Sequence, residues 1–431
     1  MNIFSGMSVA LIGYGVSNRA ACSYLLERGI SPVIRTPKRE NVPNGAVNIF
    51  GNGYLNSYED VVFRSPSVRP DTIKTDGIIT TEIAFSLART AGFKIGVTGS
   101  DGKTTVSTLI YELLKSEGKK TLLCGNIGTP LISQIRDADF NTYTVAELSS
   151  FQLMDASPFL DASVITNVTE NHLDWHTDMD EYVSSKMNIT KNASRVVLDY
   201  DNEILRAHIH KIPSSAHLVL VSFGERIDLK RENASCVCIK DSAITYNGEP
   251  VISVDKIRLV GKHNIKNYQL AIGAVFSLLS RESILSVAKA FKGVSHRCQL
   301  ISEKNGVKFF DSSIDTTPSR TVSTLSAFYN PKTVLLLGGY DKNLDYSILK
   351  SAVSGIRAVI TGANTKKIYE AIRDSGAEIY VEKSFFDAVK RAIEISKDGD
   401  SVLLSPASAS FDEFSSYRER ADKFREIIEE N

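Results

Sequence analysis

The chain carries no net charge: 50 Lys and Arg balance 50 Asp and Glu, so no single-signed field draws it to a nucleic-acid backbone or an anionic membrane surface. No apolar run approaches the roughly 18 residues that cross a bilayer. The N-terminus lacks a basic segment ahead of the short apolar stretch 7–12, so neither membrane insertion nor secretion is expected. The five cysteines, Cys22, Cys124, Cys236, Cys238 and Cys298, are odd in number and contain no C-x-x-C pair. That argues against a disulfide scaffold and for a reducing, cytoplasmic setting. There is no fixed short repeat and no low-complexity linker, which excludes a solenoid or a disordered tether. What remains is a globular chain of 431 residues, 42% apolar, too long for one core and suited to two or three. Any small polyanionic substrate has to be held by local sites.

One such site stands out at residues 94–105, K-I-G-V-T-G-S-D-G-K-T-T. An apolar strand stops at Thr98, a glycine loop turns, and a helix begins near Lys103, which is a phosphate cradle. Gly99 and Gly102 can take positive φ and bring the amides of Ser100 and Asp101 close to phosphate oxygens. Lys103 would reach the outer phosphates, and Thr104 or Thr105 would ligate Mg²⁺. Val97 stands where the strict G-x-x-x-x-G-K-[ST] pattern has glycine, so the match is to the variant T-G-x-x-G-K-T-T.

Around this loop the chain alternates strand and helix. Residues 7–36 read strand, glycine turn, helix, strand, with Gly13 and Gly15 opening a dinucleotide-like turn whose third glycine is Asn18. Arg35 and Thr36 occupy the place of the ribose-binding acid, so the turn is expected to receive a phosphate-bearing ligand other than NAD. A helix 103–117, strands 120–124 and 142–147, a strand 162–167 and an N-capped helix from Asp178 follow, the pattern of a parallel sheet covered on both faces. Short alternating runs between 214 and 260 suggest a hairpin or small antiparallel sheet. Beyond Ser295 the alternation resumes, with strands at 307–313, 333–339, 358–362 and 401–406.

Several side chains sit where chemistry is possible. Glu147 ends its strand on the rim that carries Lys103, and a carboxylate there is a hard oxygen ligand for Mg²⁺. His172, Asp174 and His176 lie close together, but a zinc site needs a further ligand that the sequence does not offer; His172 fits better beside Mg²⁺ or substrate oxygens. Lys186 reads from spacing alone as a lysine on an exposed helix face. His296 with Arg297, and Lys342 after Gly338 and Gly339, are equally ambiguous in isolation.

Together these motifs resemble the Mur ligase family of ATP-dependent peptide-bond-forming enzymes. The likeness is carried in order by T-G-S-D-G-K-T-T, G-N-I-G-T-P (125–130), E-L-S-S-F-Q-L (147–153), N-V-T-E-N-H-L-D (167–174), H-N-x-x-N (263–267), His296 with Arg297, Asp311 with Ser312, Lys342, and L-S-P-A-S-A-S-F-D (404–412). The second Ser-rich motif and E-L-S-S-F-Q-L point to the branch that adds D-glutamate to UDP-N-acetylmuramoyl-L-alanine. The resemblance implies that Val16, Ser17, Thr36, Asn126, Ser149 and His172 contact the UDP-sugar. It places Gly99, Ser100, Asp101, Gly102, Lys103, Thr104, Thr105, Asn264, Asn267, Arg297 and Asp311 around ATP. It gives Mg²⁺ to Thr104, Glu147, His172 and a carbamylated Lys186, with Lys103, Glu147, His172 and Lys186 catalytic, and D-glutamate to Lys342, Ser410 and Tyr417. Three positions depart from the usual pattern: Ser67 where glycine is common, Ser313 where a lysine often follows the Asp-Ser pair, and Ser408 where cysteine is common.

The expected fold class is α/β in three domains: residues 1–91, Rossmann-like, for the UDP-sugar; 92–294, a phosphate-loop domain with a mostly parallel sheet and a small antiparallel addition, for ATP; 295–431, Rossmann-like, for the amino acid. A cytoplasmic monomer is expected, using ATP and Mg²⁺ and binding neither nucleic acid nor membrane. The alternatives are another amino-acid-adding ligase of the same family, an L-alanine-adding or folylpolyglutamate-type enzyme, and, from other classes, a nicotinamide-dependent oxidoreductase or a non-catalytic nucleotide switch.

Overall fold

The computed structural model describes residues 4, 6–173, 175–224, 227, 231–259, 261–328 and 330–431. Two compact units are formed, Met1–Ile257 with Asn264–Ala290, and Arg258–His263 with Phe291–Asn431. The first holds two sheets and the second holds one.

The first sheet comprises β1 (Val9–Ile12), β2 (Val33–Thr36), β3 (Val47–Phe50), β4 (Val61–Arg64) and β5 (Ile78–Thr80), in the order β3-β2-β1-β4-β5 with every pair parallel. β1 and β4 are buried along their whole length, as apolar strands covered on both faces must be. The order reverses between them, and ligands of doubly wound sheets bind at the carboxyl ends of such a pair. There Gly13 has φ +76, and a Cβ on it would lie 2.8 Å from the Ser65 Cβ; the two loops approach too closely for any side chain. The helix Val16–Leu26 follows and closes with Gly29 at φ +72, Ile30 donating back to Leu25, so glycine ends this helix as expected.

The second sheet contains β6 (Phe93–Thr98), β7 (Lys120–Gly125), β8 (Thr142–Glu147), β9 (Phe159–Ile165), β10 (Asn192–Asp199), β11 (His217–Val221), β12 (Ala234–Lys240), β13 (Ala243–Tyr246) and β14 (Glu249–Ser253). Its order is β14-β13-β12-β11-β10-β9-β6-β8-β7. The expectation of a separate antiparallel element from about 214 is corrected in part. β11 pairs parallel with both β10 and β12, and only β12, β13 and β14 are antiparallel. The connections explain the difference. β12 and β13 are joined by Asp241 and Ser242, and β13 and β14 by Asn247 and Gly248, all four at positive φ, the tight turns of hairpins. β10 and β11 are joined by a crossover containing the helix Glu203–Ala207, which returns the chain parallel.

The third sheet has β15 (Gln299–Lys304), β16 (Val307–Asp311), β17 (Thr333–Gly338), β18 (Arg357–Thr361), β19 (Glu378–Val381) and β20 (Ser401–Leu404), ordered β15-β16-β20-β17-β18-β19. All pairs are parallel except the hairpin β15–β16. The C-terminal helix Tyr417–Glu430 buries Phe424, Ile427 and Ile428 among Val334, Val402 and Leu404 of this sheet. Among the described residues no helix is long and apolar enough to cross a membrane, and no disulfide is formed.

Candidate active site

β6 delivers the phosphate loop and the helix Lys103–Ser116 continues it. Gly99 has φ +145 and a Cβ there would stand 1.9 Å from the Thr166 Oγ1; at Gly102, φ +77, it would stand 2.7 Å from the Asn267 Oδ1. Neither position tolerates a side chain without moving its neighbour. The Ser100 and Asp101 amides donate to the carbonyl and side-chain oxygen of Asn167, each at 2.9 Å. The Ser100 hydroxyl meets the Tyr182 hydroxyl at 2.9 Å. The amides of Lys103, Thr104 and Thr105 belong to the first helical turn, where an α-helix has no internal acceptors and favours an anion. The cradle is therefore the start of the helix more than the loop ahead of it.

Lys103 Nζ donates to the Gly99 and Ser100 carbonyls at 2.9 and 2.8 Å. Thr104, buried, donates to Glu147 Oε2 at 2.7 Å, and Asn126 Nδ2 donates to Glu147 Oε1 at 3.0 Å. Of the two threonines it is thus Thr104 that faces the carboxylate. A hydroxyl and a carboxylate side by side suit a hard divalent cation with oxygen ligands, although among the described residues no group of three or more His, Cys, Asp and Glu is gathered for a metal ion.

Lys186 is not on an exposed face. The helix Met179–Met187, capped by Asp178 accepting from the Glu181 amide, buries Tyr182, Val183, Ser185, Lys186 and Met187. Lys186 is 2% exposed, its Nζ donates to the Gly99 carbonyl at 2.7 Å, and it lies 4.4 Å from the Tyr182 ring centre. Burial, with the Lys103 charge as the next cause, pushes this amine well below the usual lysine range. Burial beside a second lysine favours loss of the amine's charge, and a neutral amine is a nucleophile.

His172 and His176 diverge. His176 is buried and bonds Ser150 Oγ at 2.9 Å and Glu181 Oε2 at 3.1 Å; His172, at φ +57, is exposed and stacks edge-on against Phe151 at 5.0 Å. The two rings do not converge as zinc ligands, and Asp174 lies outside the described residues. Ser149 caps the helix Ser150–Leu153 in a reciprocal pair with Gln152.

At the first sheet, Val16 is exposed and Ser17 half-buried at the start of their helix. The Thr36 hydroxyl is already engaged, donating to Lys38 O at 2.7 Å and accepting from Asn48 Nδ2 at 3.0 Å. Asn18 fills the third-glycine position by donating to the carbonyls of Ile12, Gly13 and Phe63. Arg35 is buried and forked onto Glu59 at 2.9 and 3.2 Å, so it does not face a ribose. Both features remove support from a nicotinamide site. Sequence reasoning missed the cations that fasten this sheet's loops to the second sheet. Arg64, fully buried, forks onto Asp155 and donates to Phe151 O; Arg69 forks onto Glu181 at 2.9 and 3.0 Å.

Asn264 and Asn267 belong to the first unit, buried, with Asn267 Nδ2 donating to Asn264 Oδ1 at 3.2 Å. Arg297 and Asp311 belong to the second. There Asp311 is fully buried, bonded to His296 Nδ1 and Arg425 Nη2, each at 2.9 Å; against the upward push of burial, His296 and the hydrogen bonds from Ser313 hold its carboxyl below the usual range. Arg297 and Lys342 are exposed, Ser410 is buried, and Tyr417 lies edge-on to His296 at 5.5 Å. Arg420 was also missed. Buried, it donates to the carbonyls of Ala409, Ser408 and Ser313 at 3.0–3.2 Å, and burial lowers its guanidinium to about 10.

Residues 97–275 match the Mur ligase middle domain, and residues 296–408 the Mur ligase glutamate ligase domain. The chain is 37% identical to the UDP-N-acetylmuramoylalanine--D-glutamate ligase of Clostridium novyi (strain NT), over 97% of its own length and 96% of the relative's. It is also 37% identical to the enzyme of that name from Clostridium perfringens (strain 13 / Type A), over 98% and 96%. Among solved structures it resembles the UDP-N-acetylmuramate-alanine ligase of Thermotoga maritima, with a TM-score of 0.59 at 18% identity, covering 98% of this chain and 99% of that one. This last likeness concerns the fold alone.

Proposed function

Because the chain belongs to the Mur ligase family, we propose that it joins D-glutamate to UDP-N-acetylmuramoyl-L-alanine with ATP as the energy source. It is an ADP-forming ligase of peptidoglycan precursor synthesis. A free carboxylate is a poor acyl donor, so the terminal carboxylate of the UDP-sugar substrate first takes the γ-phosphoryl group of ATP. The D-glutamate amine then attacks the acyl phosphate, giving a tetrahedral intermediate that expels phosphate.

The observation that carries the assignment of residues is the meeting of Lys103 and Lys186 at one carbonyl, Gly99 O, beside the Thr104–Glu147 pair. Lys103 and the first turn of its helix hold the transferring phosphates. Lys186, whose charged form burial disfavours, adds CO₂ to form a carbamate as its proton leaves to solvent, converting a would-be cation into an oxygen ligand. Thr104, Glu147, His172 and the carbamate of Lys186 would hold Mg²⁺, which would supply positive charge opposite the phosphoryl group. Asn264, Asn267, Arg297 and Asp311 take the nucleoside. Val16, Ser17, Thr36, Asn126 and Ser149 line the UDP-sugar site, and Lys342, Ser410 and Tyr417 receive D-glutamate. The division of labour follows residues 1–91, 92–294 and 295–431, in a cytoplasmic monomer.

The test is phosphate release from ATP and Mg²⁺ with UDP-N-acetylmuramoyl-L-alanine, with and without D-glutamate, in wild type and Lys186→Ala. Release that requires D-glutamate and collapses in the variant is expected. Turnover with another amino acid but not D-glutamate would reject the substrate assignment.

A further inference from the structure

We propose that Arg69, Glu181 and His176 form a positioning chain through which the loop at residues 65–69 holds the Ser150 turn, just beyond Glu147, in working geometry. The proposal rests on the ligase reading, in which this loop lies at the UDP-sugar end of the first sheet.

The contacts run without a gap. Arg69 grips both Glu181 oxygens at 2.9 and 3.0 Å and donates to Trp175 O at 2.7 Å. Glu181 Oε2 also accepts from the Thr177 amide at 3.0 Å and faces His176 Nδ1 at 3.1 Å. His176 Nε2 meets the Ser150 hydroxyl at 2.9 Å. Arg69 holds the Glu181 carboxyl down at about 2, and burial, outweighing Glu181, keeps His176 below the usual histidine range. The Nδ1 that faces the Glu181 carboxylate donates to it, and Nε2 on the other side of the ring is placed to accept from the Ser150 hydroxyl. Each link therefore has a fixed donor: Arg69 and His176 both donate to the Glu181 carboxylate, and the Ser150 hydroxyl donates to His176.

The outer end is accessible and the inner end is not. Arg69 and Glu181 side chains are 18% and 23% exposed, while the His176 side chain is fully buried. A second tie runs beside the first. Trp175 donates its indole N–H to Ser67 O at 3.2 Å, lies 5.2 Å from Arg69 and packs on Phe151 at 4.3 Å. A ligand seated on Ser65 and Ser67 thus bears on the same residues that fix Ser150, and Ser150 begins the helix capped by Ser149, three positions after Glu147. Trp175 is the only tryptophan in the sequence, so this junction has its own spectroscopic reporter.

The experiment uses the full chain as wild type, Arg69→Met, Arg69→Lys, His176→Asn and His176→Gln, with melting temperature as the folding control. Phosphate release is followed while UDP-N-acetylmuramoyl-L-alanine and ATP are varied separately, and Trp175 emission is titrated with the UDP-sugar. The amide of His176→Gln reaches the place of Nε2 and can accept from Ser150; that of His176→Asn reaches only the place of Nδ1. Arg69→Met and His176→Asn are expected to lose about 10- to 100-fold in kcat, the scale of a misplaced catalytic group, with the KM for ATP within about twofold of wild type. His176→Gln should retain several times more kcat than His176→Asn, and Arg69→Lys should fall between wild type and Arg69→Met. Trp175 emission should change saturably with the UDP-sugar in wild type and respond less in Arg69→Met. Equal kcat in the two histidine variants, or a change confined to the KM for the UDP-sugar in Arg69→Met, would overturn the chain. If wild type shows no D-glutamate-dependent release, it is the ligase reading that fails; the emission titration then decides the chain alone, an equal response in wild type and Arg69→Met overturning it.

Discussion

Glu82→Gln should flatten the pH dependence of stability in the first unit. Glu82 begins the helix Glu82–Leu87, is 3% exposed, and accepts from the Ile132 amide at 2.7 Å and the Ser86 hydroxyl at 3.2 Å. Burial lifts its carboxyl from an ordinary 4.5 to about 7, the two hydrogen bonds opposing only part of the rise. Between these values the folded chain keeps a proton that the unfolded chain has released, so stability falls as pH rises. Its contribution is complete below pH 4.5 and is lost as pH passes through 7. A gap of about 2.5 pH units at ~1.36 kcal/mol each gives about 3 kcal/mol lost by pH 8. Glutamine keeps the acceptor oxygen and cannot ionise. Urea unfolding followed by Trp175 emission at pH 5, 6, 7 and 8 should show the variant close to wild type at pH 5 and up to about 3 kcal/mol more stable at pH 8. Parallel curves at all four pH values would refute the claim that Glu82 is protonated in the fold near neutrality.

Gly99→Ala places a methyl 1.9 Å from Thr166 Oγ1 at φ +145. It should cost about 2–4 kcal/mol in urea unfolding and abolish ATP-dependent phosphate release; a variant with wild-type stability and turnover would show that the loop relaxes freely. Arg35→Met leaves Glu59 without its partner where the two side chains are 6% and 9% exposed, and should cost about 3–5 kcal/mol. The double variant Arg35→Met, Glu59→Leu should recover most of that loss, and a double variant no better than the single would mean that Arg35 acts through packing and not through charge.

Most of the strands that were legible in the sequence share one physical situation. β1, β4, β17 and β20 are buried along their whole length, and a strand covered on both faces has to be apolar throughout. β3, β5, β15 and β19 went unforeseen; each is an outer strand of its sheet and none has a buried residue. With one neighbour and partial cover, Val-Asn-Ile-Phe or Glu-Ile-Tyr-Val need not show either a continuous or an alternating pattern. Strand direction fails for another reason. The run at 217–221 reads the same in either orientation, and the crossover ahead of it, not its own side chains, makes β11 parallel.

In the candidate site the division is between local chemistry and long-range neighbours. The phosphate loop was legible because two glycines, a lysine and two threonines must follow one another on a single strand-to-helix turn. Lys186 was not, since a lysine at one position of a mixed helix suggests solvent, and its amine is set by a carbonyl 87 positions away. The signal available in the sequence was Tyr182, four residues earlier and on the same helical face; the structure buries the helix from Tyr182 to Met187 except at Ser184. A helix that hides an aromatic ring and a lysine on one face cannot leave the ammonium unsolvated at no cost. Either the amine meets a carboxylate or it loses its charge. Here Lys186 meets a backbone carbonyl and the charge of another lysine, and burial with that charge outweighs the opposing Asp101 carboxylate. This environment favours the neutral amine, which is the form that can be carbamylated.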